Sequence, residues 1–231
     1  MEQLQLREKE IFETLKKIRR AEFVVIGGYA VNAYTLPRFS VDCDLVIKNH
    51  KELDVIEKSL LGLGYHQEKD ISAESTYGGI FERYEKGIKS NFKVSADILI
   101  GKVLDRETRA TFSASWVFDN SALRNLQGKT ISENIKLRII NADALFTMKL
   151  ISCRNTDIRD IFLLISHVLD KEWIKNEVAD RCDLKDRLSK VQNKISSKQF
   201  KDELQGVFGR VDDKIFSRNK ESISELSSRT H

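Results

Sequence analysis

Proline occurs once in the 231-residue chain, at Pro37, and cysteine only three times. A proline fixes its own φ and disfavours helix in the residue before it, so Leu36-Pro37-Arg38 is predicted to be a connector. Cys43, Cys153 and Cys182 are far apart, odd in number and without a CxxC pair, and the four histidines do not cluster with them. That pattern argues against a disulfide framework or a zinc site. Long apolar runs are missing too. Nothing approaches the roughly 18–20 apolar residues of a bilayer span, and charged residues make up 32% of the chain. The opening MEQLQLREKEIFETLKKIRR is charged throughout and lacks the apolar stretch of a secretory leader. The expectation is a soluble, cytoplasmic protein with no membrane partner. No GxxxxGK[ST] or GxGxxG is present, which excludes a Walker loop and a dinucleotide fingerprint. Ser40 has no GxSxG setting, which argues against a serine hydrolase.

What remains is enough to fold. Apolar residues make up 41% of the chain, and the length suits one large domain or two modest ones. The net charge of +4 lies entirely in residues 181–231, with 12 basic and 8 acidic side chains. A basic end can face a polyanion, although so small an excess also suits a plain solvated face. Leu4, Ile11, Leu15 and Ile18 recur at helical spacing over residues 2–20. Phe23-Val24-Val25-Ile26 reads as a buried strand ended by Gly27-Gly28, with a short helix over 29–34. Strands are predicted over 41–47 and 92–100, a helix over 50–61, and turns at Gly78-Gly79 and Glu85-Lys86-Gly87. From Asn141 onward the pattern is helical, and the polar stretch 217–231 reads as frayed. The predicted domains are 1–105, a catalytic core; 106–140, a bridge with short strands; and 141–231, helical.

Alternation along the two strands carries the chemistry. Asp42 and Asp44 are two residues apart on one strand and project to the same side, with Cα atoms about 7 Å apart. Their carboxylates can converge on one or two divalent cations, and magnesium accepts such oxygens together with phosphate. Asp97 sits in VSADILI, an apolar strand end where a buried charge needs a partner, and it is the natural third carboxylate. It can orient or deprotonate an acceptor hydroxyl. Gly27 and Gly28, at a strand-to-helix junction, allow backbone N–H groups to approach a triphosphate closely. Ser40 can donate to phosphate, and Arg38 can steer phosphate or buttress the acidic pair. Taken singly, each of these motifs also has a plain structural reading as a turn, a solvated face or a cap.

The order and spacing of GGYAVNAYTLPRFSVDCDLVI and VSADILI resemble the nucleotidyltransferases of the DNA polymerase beta superfamily. The R-x-S-x-D-x-D form and the helical tail are similar to abortive-infection toxins of the AbiEii type, found in type IV toxin–antitoxin systems. The resemblance implies an α+β nucleotidyltransferase fold, with a short mixed sheet flanked by helices and a helical C-terminal domain. It implies that Gly27 and Gly28 bind phosphate, that Asp42 and Asp44 bind both metal ions, and that Asp97 shares one metal and serves the acceptor. The same toxin frame matches Lys149 and Arg154 as phosphate contacts, with Asp157 and Asp160 in support. Thr156 stands where that frame has a lysine. A plain reading of the residues leaves Lys149 snorkelling to solvent from an apolar helix and Asp157 as a helix cap. The implied cofactor is Mg²⁺ or Mn²⁺, with a nucleoside triphosphate as co-substrate held between the two parts. The implied acceptor is RNA, at a transfer-RNA end, with a protein or a small molecule such as an antibiotic as alternatives. An antitoxin protein is an implied partner. The rival reading is a non-catalytic, antitoxin-like interaction protein.

Overall fold

The computed structural model describes residues 1–68, 81–89, 92–209 and 211–228. The predicted turn at Gly78-Gly79 lies outside the described residues. The strand expected over 92–100 is β5, Phe92–Ile100, and its alternation organises a seven-stranded sheet. The other members are β1 (Val24–Val25), β2 (Asp42–Ile47), β3 (His66–Glu68), β4 (Phe81–Lys89), β8 (Ser121–Leu126) and β9 (Ile135–Ile140), in the order β3-β4-β5-β2-β1-β9-β8. The sheet is mixed. β2 runs parallel to β5 and β1 parallel to β9, while β1–β2, β3–β4, β4–β5 and β8–β9 are antiparallel. A separate two-stranded ribbon pairs β6 (Lys102–Leu104) with β7 (Thr111–Ser113).

Register divides the sheet into two chemically different faces. Ala96 lies between Cys43 and Tyr84, and Leu45 beside Ile98, so one face is apolar. Helices α1 (Glu2–Ile18) and α3 (His50–Gly62) pack on that face. α1 contributes Ile11, Phe12, Leu15 and Ile18, all buried, and α3 contributes Leu53, Ile56 and Leu60. Tyr84 donates its hydroxyl to Glu57 of α3 at 3.0 Å, and Thr14 shares a 2.9 Å hydrogen bond with the Tyr65 hydroxyl. The opposite face carries Asp42, Asp44, Ser95, Asp97, Arg83 and Glu85, which the register aligns on neighbouring strands. Glu8 of α1 is a buried carboxylate that accepts from the Lys129 and Thr130 N–H groups and the Thr130 hydroxyl at 2.6–2.8 Å. These bonds satisfy a charge that would otherwise be costly to bury and pin the loop before β9 to the first helix.

The chain divides into two units. The first comprises Met1–Ala33, Pro37–Leu104 and Thr111–Asn141, and holds the sheet; the second comprises Tyr34–Leu36, Asp105–Ala110 and Ala142–His231. Besides α1 and α3, the first unit contains α2 (Gly27–Val31) and α4 (Ala114–Asp119). The second unit is helical: α5 (Ala142–Ser152), α6 (Asn155–Leu164), a 3-10 turn (Ile165–His167), α7 (Lys171–Ala179), α8 (Leu184–Ile195), α9 (Lys198–Phe208) and α10 (Asp213–Ser228). The fold is α+β, a mixed sheet flanked by helices and followed by a helical C-terminal region, as the sequence predicts.

Three local expectations are corrected. Helix α2 begins at Gly27 itself, so the glycine pair forms its first turn and does not precede it. Glu85-Lys86-Gly87 is not a turn. It lies inside β4, and the register shift between Gly87 and Lys89 marks the irregularity that the glycine accommodates. The stretch after 217 is helical through Ser228. There Ile223 and Leu226 are buried, Asn219 donates to the Phe162 carbonyl at 2.8 Å, and Phe216 packs 4.9 Å from the Phe162 ring. Among the described residues, no helix is long and apolar enough to cross a membrane.

Candidate active site

The first unit assembles seven of the singled-out residues on and beside β2. Gly27 has φ +67°, a left-handed conformation that favours glycine. A Cβ added there would overlap the Asp44 carboxylate, meeting its Cγ at 2.8 Å. The absent side chain is therefore what lets the Asp44 carboxylate lie against the chain at the start of α2. At Gly28 an added Cβ would overlap the Ser40 hydroxyl and stand 3.2 Å from Arg38 Nη2. Gly28, Arg38 and Ser40 thus meet at one point. Asn32, fully buried at the end of α2, brings them there: its amide donates to the Arg38 carbonyl at 2.9 Å and its carbonyl accepts from the Arg38 N–H at 3.1 Å. This clamp folds the proline connector back over the glycines. Arg38 Nη1 also donates to the Phe39 carbonyl at 3.1 Å, and the Ser40 hydroxyl donates to the Asp42 carbonyl at 3.4 Å.

Gly27→Ala is expected to lower the nucleotidyl transfer that the sequence resemblance implies by about a hundredfold, on the scale of losing one aligned charged group. The added methyl must displace Asp44 or the loop, and the alanine is strained at that φ. A residual activity within about threefold of wild type would show that the contact is dispensable.

Asp44 and Asp97 are register partners on the parallel strands β2 and β5, and Asp42 is the partner of Ser95. The three carboxylates share one face, but their oxygens do not all lie within 4.8 Å of one another. Among the described residues, the only set of three metal-ligating side chains that close is His66, Glu68 and Glu85 on β3 and β4. Glu85 in that set is already paired with Lys93 Nζ at 2.6 Å. A cation does reach the aspartates, and it is a side chain. Arg83, opposite Asp97 on β4, donates Nε to Asp97 Oδ1 at 2.8 Å and Nη2 to Asp97 Oδ2 at 2.7 Å. Its Nη2 is also 3.9 Å from Asp42 Oδ1. The Asp97 hydrogen bonds, opposed by partial burial, raise the Arg83 pKa further, so the guanidinium stays charged. Asp42 in turn accepts from the Ser95 hydroxyl. Asp97 is buried, and its partner is thereby identified. Neither Arg83 nor Ser95 is singled out by the sequence, because no spacing rule sets the β4–β5 register. The alternation of Arg83 and Glu85 about buried Tyr84 is the one local signal.

The second unit holds Lys149, Arg154, Asp157 and Asp160. Lys149, on α5, is buried and does not snorkel to solvent; its Nζ is 2.8 Å from Asp157 Oδ1 and 2.8 Å from Asp160 Oδ2, both on α6. Burial alone would depress its pKa, but the two aspartates outweigh it and the ammonium is stabilised. Asp157 also accepts the Arg154 N–H at 3.2 Å, so it serves the start of α6 from the third helical position, with Arg154 at the cap. Arg154 Nη2 reaches Asp105 Oδ2 at 3.4 Å, and Asp105 accepts from Ser152 at 2.7 Å and from the Thr108 N–H and hydroxyl at 2.8 and 2.9 Å. Burial raises the Asp105 pKa, yet these donors and Arg154 bring it below the ordinary value. The two aspartates use two of the three donors of the Lys149 ammonium.

Comparison with known proteins gives this arrangement a setting. No curated protein matches the chain. A solved structure from H. pylori, described as a candidate nucleotidyltransferase, superposes with TM-score 0.55 at 17% identity, over 99% of this chain and 96% of that one. The likeness shows the fold. The lincosamide antibiotic adenylyltransferase LnuA, bound to lincomycin, covers 69% of this chain and 97% of its own at 18% identity and TM-score 0.48. An antigenic nucleotidyltransferase-like protein from Paracoccidioides brasiliensis covers 80% and 91% at 15% identity and TM-score 0.46. The model of the nucleotidyl transferase AbiEii toxin family, type IV toxin–antitoxin system, matches residues 14–225. That span takes in most of both units and every candidate site residue from Gly27 to Asp160, and the chain belongs to the AbiEii family of nucleotidyltransferases.

Proposed function

We propose that the protein moves a nucleoside monophosphate from a nucleoside triphosphate to a hydroxyl of RNA, at a transfer-RNA end, with Mg²⁺ or Mn²⁺. The observation that carries this reading is the alignment of Asp42, Asp44 and Asp97 on one sheet face, beside a helix start where Gly27 leaves room for the Asp44 carboxylate. The donor set fits a hard divalent ion, since it consists of carboxylate oxygens on adjacent strands. It already attracts a positive group, the Arg83 guanidinium. Asp42, Asp44 and Asp97 would hold the metal, which would supply charge neutralisation at the phosphates and a more acidic acceptor hydroxyl.

The chain's own groups do the rest. The backbone at Gly27 and Gly28, with Ser40 and Arg38, binds and orients the triphosphate. The acceptor oxygen forms a bond to the α-phosphorus as the bond to the bridging oxygen of pyrophosphate breaks. The acceptor proton passes to an Asp97 oxygen, and pyrophosphate leaves with the bonding electrons. Lys149 and Arg154 are phosphate contacts in this reading, with Asp157 and Asp160 setting the lysine's position. RNA as acceptor places the reaction in the cytoplasm, and an antitoxin protein is the expected partner, in keeping with the type IV family.

Incubation of the protein with each labelled nucleoside triphosphate, Mg²⁺ or Mn²⁺, total RNA and total protein tests the acceptor. Label in RNA of transfer-RNA size is the expected result. Label in protein, or transfer to an added aminoglycoside or lincosamide, would replace the RNA reading. Absence of label and of pyrophosphate in every arm would favour a non-catalytic interaction protein.

A further inference from the structure

The nucleotidyl-transfer reading asks Asp97 to bind a metal ion, yet both of its oxygens are engaged by one guanidinium. This engagement is built into the fold. Arg83 and Asp97 are directly opposed in the antiparallel β4–β5 register, and Asp97 is opposed to Asp44 on the other side. The same guanidinium approaches Asp42 to 3.9 Å. Three anionic groups on one partly buried face would repel one another without a compensating charge, and Arg83 supplies it from a third strand. The Arg83 fork takes one lone pair on each Asp97 oxygen, and a dication drawn to the same carboxylate is repelled by the guanidinium beside it, so the two cations compete for Asp97.

We propose that Arg83 is an exchangeable internal cation: it holds Asp97 in place while the site is empty of metal and competes with the free divalent ion for that carboxylate. This inference rests on the nucleotidyltransferase reading of the same site. Its consequence is an order of loading. The free ion binds weakly against the guanidinium. The ion accompanied by a triphosphate brings extra oxygen ligands and a new anionic partner, which shifts the exchange towards the metal. Arg83 acts through Asp97 and is a positioning residue.

Mn²⁺ binding to the full chain, followed by the electron paramagnetic resonance signal of the free ion, tests the competition without any turnover. In the absence of nucleotide, R83Q is expected to bind Mn²⁺ about tenfold more tightly than wild type, the equivalent of one charge-assisted hydrogen-bonded pair. R83K retains a charge but not the two-point fork and is expected to show a smaller gain, about threefold; it also serves if R83Q does not fold. The metal-free melting temperature of R83Q should fall and be restored by saturating Mn²⁺. A plain structural ion pair would lower the melting temperature without raising metal affinity. Equal or weaker Mn²⁺ binding by both variants overturns the inference. D42N with a non-hydrolysable triphosphate separates the two failures. If Asp42-dependent binding of Mn²⁺ and triphosphate is intact while the Arg83 variants leave nucleotide-free affinity unchanged, the exchange alone is wrong. If no Asp42-dependent binding exists in any variant, the transferase reading fails and the exchange with it.

Discussion

Asp44→Asn is expected to reduce pyrophosphate release on the order of a thousandfold, the scale seen when a preorganised group acting on a developing charge is removed. The substitution keeps the shape of the side chain that lies over Gly27. It also keeps the backbone contact in which the Ile26 N–H donates to the Asp44 carbonyl at 3.0 Å, so the glycine start stays anchored. The negative charge is lost, and one acceptor oxygen becomes an NH₂ donor. A second measurement has a defined sign. Removing one of three neighbouring anions relieves their repulsion in the metal-free protein, so the melting temperature without metal should stay the same or rise while activity collapses. A fall in activity accompanied by a fall in stability would mean that Asp44 mainly holds the loop. Release within about threefold of wild type would end its assignment as a metal ligand.

Lys149→Met is expected to destabilise the protein by about 3–5 kcal/mol, because it leaves Asp157 and Asp160 buried without their ammonium. For a chain of this size that corresponds to a fall in melting temperature on the order of 10 °C. The methionine fills much the same volume, so the loss is electrostatic and should be repaired in part by adding Asp160→Asn. Single and double variants will therefore not add. The pH dependence follows from the direction of the lysine's shift. Its pKa is raised in the folded state, so its contribution is fully present below the unfolded lysine value of about 10.4 and is lost only as pH rises through the folded value. The lysine's own titration should thus remove this contribution in alkaline solution. The Lys149→Met variant should instead gain on acidification, as its stranded aspartates protonate. A variant within about 1 kcal/mol of wild type would show that solvent already screens the pair.

The elements that carry the candidate chemistry are those whose side chains report their own geometry. Phe92, Val94, Ala96, Ile98 and Ile100 alternate with Lys93, Ser95, Asp97 and Leu99, so the strand and the side on which Asp97 lies can be read directly. The same holds for Asp42 and Asp44. Arg83 stayed hidden because its meaning depends on which residue lies across the strand, and the β4–β5 register is a tertiary property. Gly87 misled for a related reason: a glycine marks a turn or a bulge equally well, and only pairing with β5 decides between them. The last helix was obscured by its serines. Its apolar residues Ile215, Phe216, Ile223 and Leu226 are sparse, and the aromatic partners that stabilise it, Phe162 and Phe200, lie on other helices.

Strand β1 is only two residues long, and its neighbour on one side comes from the far end of the sheet in sequence, with Val25 beside Ile139. Closing so wide a loop costs chain entropy before any contact offsets it, and such pairings slow folding. During synthesis the segment ahead of Gly27 therefore has β2 for support long before it has β9. A nascent chain released before β9 emerges would carry every carboxylate of the cluster on a sheet with one side of β1, the strand that leads into Gly27, left open.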